Sequence, residues 1–119
     1  MCALAIYDTI EKFISDFDGQ ILQLKWPNDI ILNKLKCGGI LIENIFSKAD
    51  NYHILAIGIG VNLIKSPLRT TFPSSNIYDE TNVKINPQKF LFELNKNIVK
   101  KIDVNNLFII VVLKIMIDH

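Results

Sequence analysis

The sequence is poor in the features that mark specialised classes. Its 119 residues hold two cysteines, Cys2 and Cys37, too few for the cross-linked framework of a small secreted protein, and no charged segment precedes an apolar run at the start as an export signal requires. A reducing cytoplasm is the expected compartment. Charge of one sign is missing too: 13 Lys and Arg against 12 Asp and Glu leave a formal net charge of +1, so no basic field argues for nucleic acid. His53 and His119 have no partner at metal-ligand spacing, and no protein metal site is expected. The one long apolar run, Leu107 to Ile117, is interrupted by Lys114 and is about half the roughly 20 residues that cross a bilayer as a helix. No internal repeat or linker is evident. With 50% hydrophobic and 21% charged residues, the chain is sized for one soluble domain around a single modest core.

Periodicity divides that domain into elements. Ala3, Ile6, Ile10, Phe13, Ile14 and Phe17 recur at helical spacing, with Gly19 as a C-terminal cap, which predicts an amphipathic helix over 3–18. Apolar runs at Ile21–Leu24, Ile30–Leu32, Ile40–Phe46 and His53–Ile59 follow, punctuated by Pro27, Asn28, Gly38, Gly39 and Asp50-Asn51, and read as sequential strands. The gaps are too short for crossover helices, so the pairing should be antiparallel. Residues 65–86, rich in Pro, Ser, Thr and Asn, read as an irregular loop. Asn86 can cap a helix with Pro87 at its first position, and Phe90, Leu91, Leu94, Ile98 and Ile102 would line its buried face. Beyond Asn105 the run is apolar on every side and suits a buried strand or helix.

Three stretches carry more chemistry than folding needs. In Lys25-Trp26-Pro27-Asn28-Asp29 the lysine ends a predicted strand and offers a fixed cation for a carboxylate or phosphate. Asn28 pairs a donor with an acceptor on one amide, as reading the edge of a heterocycle requires. Asp29 could orient a lysine or bind a hydrated magnesium ion, while Trp26 and Pro27 stiffen the turn. In Lys36-Cys37-Gly38-Gly39-Ile40-Leu41 a glycine pair opening a strand permits close backbone approach to a ligand, with its N–H groups free to bond it. Lys36 could depress the Cys37 thiol, though no base is present to make it a nucleophile. In Gly58-Ile59-Gly60-Val61-Asn62 two glycines deliver an asparagine at a strand end. A rigid hairpin turn with solvated charges and a strand bulge are the purely structural alternatives.

The ordered set KWPND, KCGGIL, GIGVN closely resembles the catalytic core of biotin–protein ligases, from the first helix to about Lys101. The resemblance implies an α+β fold, part of a biotin/lipoate ligase-type catalytic domain with a mostly antiparallel sheet and helices packed on it. It implies ligase chemistry on biotin and ATP with Mg2+: formation of biotinoyl-5′-adenylate with release of pyrophosphate, then transfer of biotin to a lysine of a biotin carboxyl carrier protein domain. Lys36 matches the lysine that lies against the biotin carboxylate and the α-phosphate and is the implied catalytic residue. Gly39 and Ile40 match the strand whose backbone contacts biotin. Lys25 and Asp29 are implied on the substrate side, ordering the site. Asn28 and Asn62 match asparagines that approach adenine, with Gly58 and Gly60 beside them.

Departures from that pattern set further expectations. The Gly- and Arg-rich loop that precedes this helix in the family is not in the sequence, nor are the residues that grip the ureido ring. The expected layout is a partial catalytic domain over 1–106 and an aberrant apolar tail over 107–119, without the family's small C-terminal β domain. No helix-turn-helix precedes the core, so DNA is not an expected partner. Nor is a membrane; a homodimer or a separate chain supplying the missing half is. Three readings therefore stand together: an impaired or split biotin–protein ligase, a non-catalytic remnant or self-associating fragment, and a lipoate–protein ligase.

Overall fold

The computed structural model describes residues 2–14, 19–47, 52–68, 71–101 and 107–116. A helix, α1 (Cys2–Ile14), leads into strands β1 (Leu22–Lys25), β2 (Asp29–Leu32), β3 (Leu35–Ser47) and β4 (Tyr52–Asn62). A short helix, α2 (Ile77–Thr81), a longer one, α3 (Pro87–Lys101), and strand β5 (Leu107–Met116) follow. The strands form one sheet in the order β1-β2-β3-β4-β5. Neighbours from β1 to β4 are antiparallel, as the short connections require, whereas β5 runs parallel to β4 from His53↔Leu107 to Asn62↔Met116. Parallel pairing is possible there because α3 lies between the two strands as a crossover. The mostly antiparallel α+β expectation holds, and the apolar run after residue 106 is a strand.

One face of the sheet is covered. Ile6, Ile10 and Ile14 of α1 and Phe90, Leu94 and Ile98 of α3 form a buried core with Ile30 and Leu32 of β2, Ile40 of β3 and Ile57, Ile59 and Val61 of β4. Burying a side chain of this size contributes about 1.5–3 kcal/mol, so the stripe read from helical spacing is the main reason both helices stay in this core, α1 against the sheet and α3 against α1. The helices are also tied directly. Thr9, fully buried, donates to the Ala5 carbonyl at 2.7 Å and accepts from Asn97 Nδ2 at 2.9 Å. Lys12–Glu93 (2.8 Å) and Lys101–Asp8 (2.9 Å) are ion pairs at the rim. The Lys12 hydrogen bond holds the Glu93 carboxyl below its ordinary value, but solvent screening keeps such pairs weak.

Several expectations shift. Leu91 is 48% exposed, outside the α3 stripe, because it lies one residue, or 100° of helix, from Phe90. Phe17 and Ile102, the Asp50-Asn51 turn, and the end of the first helix at 15–18 lie outside the described residues. Strand β3 starts at Leu35, so the glycine pair sits inside it rather than opening it. The loop over 65–86 contains α2, whose N-cap Asn76 accepts from the Asp79 N–H and whose C-cap Asn82 takes the left-handed conformation. Asn86 caps α3 as expected, accepting from the N–H groups of Gln88 (2.9 Å) and Lys89 (3.1 Å).

The β2–β3 hairpin closes through Asn33 (φ 52°) and Lys34 (φ 70°). Two successive positive φ values define the tight primed turn that matches strand twist. Asparagine tolerates that region; lysine does so at a cost of about 1 kcal/mol. Lys34→Gly is therefore expected to raise stability by about 0.5–1 kcal/mol in urea denaturation, with an unchanged slope.

Candidate functional site

The face of the sheet away from the helices carries the motif residues. The register sets Lys25 opposite Asp29, Asp29 opposite Gly39 and Gly39 opposite Gly60, a row running across four strands. The next row pairs Leu41 with Gly58. Side chains alternate between faces along a strand, so while Ile57, Ile59 and Val61 enter the core, Gly58, Gly60 and Asn62 lie on this second face. Glycine at these positions leaves the backbone uncovered. The result is an open groove of about 360 Å³ lined by Asp29, Lys36, Gly39, Ile40, Leu41, Gly58, Ile59 and Gly60.

Lys36 reaches this groove through a β-bulge. Ile30 pairs with Gly38 and Ile31 with Lys36, so Cys37 is the extra residue and turns into the core, fully buried. The bulge re-aims the neighbouring side chain. The Lys36 ammonium lies 3.1 Å from Asp29 Oδ1, both groups about one-third exposed, and its Cε and Nζ stand 3.5 and 3.6 Å from where a Gly39 Cβ would be. The cation thus lies over the glycine floor with a carboxylate steering it. Of the two roles raised for Asp29, the ion pair is the geometry that orienting a lysine requires.

The other expected residues spread around this centre. Lys25 does not join the ion pair; its ammonium lies 5.6 Å from the centroid of the Phe72 ring, and it lines a neighbouring depression of about 480 Å³ with Gln23, Leu24, Trp26, Ile31 and Lys34. Trp26 is 89% exposed, so it does not brace the turn by packing. The Trp26–Pro27 bond is cis. Asn28 accepts the Ile40 N–H on its main-chain oxygen at 3.0 Å. That bond docks the turn on β3. Asn62 ends β4, buried, and donates from Nδ2 to the Ser75 carbonyl at 3.1 Å. Around Gly58 and Gly60 the β3–β4 register is regular; the bulge lies between β2 and β3 instead. Among the described residues no cluster of three or more His, Cys, Asp or Glu could hold a metal ion. The His53 side chain and His119 lie outside the description.

The sequence did not single out the loop that completes the site. Lys36 donates its N–H to the Pro73 carbonyl and its own carbonyl accepts from Ser75 N–H, each at 3.0 Å. Ser75 Oγ donates to Glu80 Oε2 at 2.7 Å, and Asn33 Nδ2 lies 3.4 Å from Glu80 Oε1. Two signals could have found this loop: Asn76-x-x-Asp79, a helix-start pattern, and Asn33 between apolar runs, a hairpin signal.

Residues 2–62, which contain every site residue expected from the motifs, match the model of the family described as biotin/lipoate A/B protein ligase. Over 96 residues the chain is 34% identical to the biotin–[acetyl-CoA-carboxylase] ligase of Paracoccus denitrificans, covering 76% of this chain and 39% of that one. The fold resembles the biotin protein ligase of Leishmania major in complex with biotinyl-5-AMP (TM-score 0.62, 26% identity, 81% of this chain and 42% of that one). It also resembles that of Aquifex aeolicus in complex with biotin and ATP (TM-score 0.64, 24% identity, 83% and 39%). The chain spans about two fifths of the length of these relatives.

Two glycines separate structure from site. A Cβ on Gly38 would meet the Gly60 carbonyl oxygen at 2.8 Å, whereas one on Gly60 would meet nothing within 4 Å. Gly38→Ala should cost about 1–3 kcal/mol by forcing β3 from β4, and Gly60→Ala should stay within about 0.5 kcal/mol, both by urea denaturation. Burial also pushes the Cys37 thiol up to about 12, the opposite of the depression its neighbour Lys36 suggested. The folded state thus holds this proton more tightly. Stability is intact below the ordinary thiol value and is lost as the pH rises from it toward 12. At pH 8, in a Cys2→Ser background, alkylation of Cys37 should run at least about 100-fold slower in the folded than in the urea-unfolded chain.

Proposed function

Because the chain belongs to the biotin/lipoate A/B protein ligase family, we propose that its glycine-floored groove is the acyl-adenylate site of a biotin–protein ligase core. The supporting observation is the Lys36 ammonium, steered by Asp29 at 3.1 Å over the uncovered backbone of Gly39. A fixed cation beside bare backbone suits a ligand with a compact anionic centre and a flat body. The relatives named as biotin ligases, and the neighbour that holds biotinyl-5-AMP, direct the choice of ligand.

In this reading the biotin carboxylate oxygen attacks the α-phosphorus of ATP, the bond to the bridging oxygen breaks and pyrophosphate leaves. The acyl carbon of the mixed anhydride is then attacked by the amine of a carrier lysine; its bond to the phosphate oxygen breaks, AMP leaves, and the nitrogen loses a proton. Both steps build negative charge around the α-phosphate. Lys36 stabilises that charge where it develops and, being already held, loses little orientational freedom in doing so. An arriving anion competes with Asp29 for the ammonium, so Asp29 keeps the lysine in place until the ligand takes over. Asn28 and Asn62 read the adenine edge. Gly39 and Ile40 lay main chain along biotin, with Gly58 and Gly60 keeping the floor open for the nucleotide and Lys25 adding a second cation at the rim. Magnesium, with its preference for phosphate oxygens and water, suits the triphosphate better than a protein cage, and Asp29 is the carboxylate lining the groove. The carrier is a biotin carboxyl carrier protein domain in the cytoplasm.

A non-hydrolysable analogue of biotinoyl-5′-adenylate should bind the purified chain saturably in calorimetry, and Lys36→Ala should weaken it by about 10–100-fold, the worth of one charge-assisted contact. Preference for the lipoyl analogue would move the reading to the lipoate branch of the family. No binding of either by a folded chain would overturn it and leave an inherited fold without its ligand.

A further inference from the structure

We propose that Glu80, acting through Ser75 and Asn33, is a positioning residue that sets Lys36 and Asn62 in fixed relation; the inference rests on the reading of those two as working residues. Lys36 occupies an unusual place in the sheet. The β3–β4 ladder ends at Gly38↔Val61, so β4 does not reach the Lys36 main chain, and its place is taken by the returning loop through a parallel bridge of Lys36 with Ser74. The loop, not a strand, therefore decides how far Lys36 stands from the glycine floor. A loop held only by two main-chain bonds could slide by a residue, because backbone groups are alike along the chain.

Side chains remove that freedom. The two oxygens of Glu80 face the two ends of the segment Asn33–Lys36. Oε1 is 3.4 Å from Asn33 Nδ2, at the hairpin turn, and Oε2 accepts from Ser75 Oγ at 2.7 Å, at the loop. Asn33 is in turn fastened to the start of β1, accepting from Ile21 N–H at 2.9 Å and donating to Gln20 Oε1 at 2.6 Å. Ser75 meets both motif residues: its N–H bonds Lys36, and its carbonyl accepts from Asn62 Nδ2 at 3.1 Å. One carboxylate thus grips the turn before the lysine and the loop residue that joins the lysine to the asparagine. Glu80 is itself carried on α2, which is anchored by the buried Ile77 and by Tyr78 N–H to the Leu63 carbonyl at 2.9 Å. Neither Ser75 nor Glu80 falls in the segment that matches the family model.

The test reads position without relying on activity. Isotopic reductive methylation of the lysines, with the Lys36 signal identified by its loss in Lys36→Arg, reports one end of the site by NMR. The Asn62 side-chain amide, identified by its loss in Asn62→Asp, reports the other. In the ligand-free chain Glu80→Ala should shift or broaden both signals, and it should weaken the adenylate analogue by about 10–100-fold, as displacement of a binding group by about 1 Å does. Glu80→Gln can accept from Asn33 and donate to the serine hydroxyl, so it should restore both signals. Should Glu80→Ala fail to fold, Ser75→Ala, which deletes one hydroxyl and leaves both main-chain bonds, decides on the same two signals. Signals unmoved in these variants, or Glu80→Gln as damaging as Glu80→Ala, would overturn the proposal. A wild-type chain whose signals respond as expected but which binds no adenylate analogue would retain the positioning role and overturn the ligand reading alone.

Discussion

Two main-chain hydrogen bonds at Lys36, one to the Pro73 carbonyl and one from Ser75 N–H, are the constraint on which the groove depends. They exist because the β-bulge at Cys37 takes Lys36 out of the regular ladder and β4 ends before reaching it. Buried or half-buried backbone groups must find partners, and the loop after β4 supplies them. A feature that began as an irregularity in strand pairing thereby binds a distant segment to the centre of the site. It also explains why the bulged residue is a cysteine: the extra position points into the core, where a small apolar side chain fits and a charged one would not.

The two faces of the sheet do different jobs. One is filled by isoleucines, leucines and a phenylalanine under α1 and α3, and contributes most of the folding free energy. The other is cleared by Gly39, Gly58 and Gly60 and edged by charge. Strict alternation makes this division possible, since replacing a core isoleucine with glycine would remove packing, while glycine on the second face removes only a side chain that would occupy the groove. The Lys36–Asp29 pair, about one-third exposed, adds little to stability. Its consequence is orientation, because it holds the ammonium over the uncovered backbone of Gly39.

The parallel strand β5 changes how the sheet ends. Without it β4 would present an open row of N–H and C=O groups, a template for pairing with another chain. Its ladder with β4 runs along the strand that carries Gly58, Gly60 and Asn62, so the groove lies in the interior of a five-stranded sheet rather than at its margin.

Local chemistry by itself determined much of this protein. Helical spacing identified α1 and α3 and most of their buried faces, Asn86 and Pro87 marked the start of α3, and alternating runs of apolar and turn residues located four strands. The motifs named the residues that the family match contains. These are properties of a few neighbouring residues, and near neighbours interact the same way before and after folding. Tertiary structure alone decided the rest. The bulge, the pairing of Lys36 with Asp29 instead of Lys25, the burial of Cys37, and the joining of Lys36 to Asn62 through Ser75 and Glu80 all depend on segments that are not neighbours in the chain meeting in one register. That register is set by which hydrophobic face must be buried and where each strand runs out of partners, and neither is written in any short stretch of the chain.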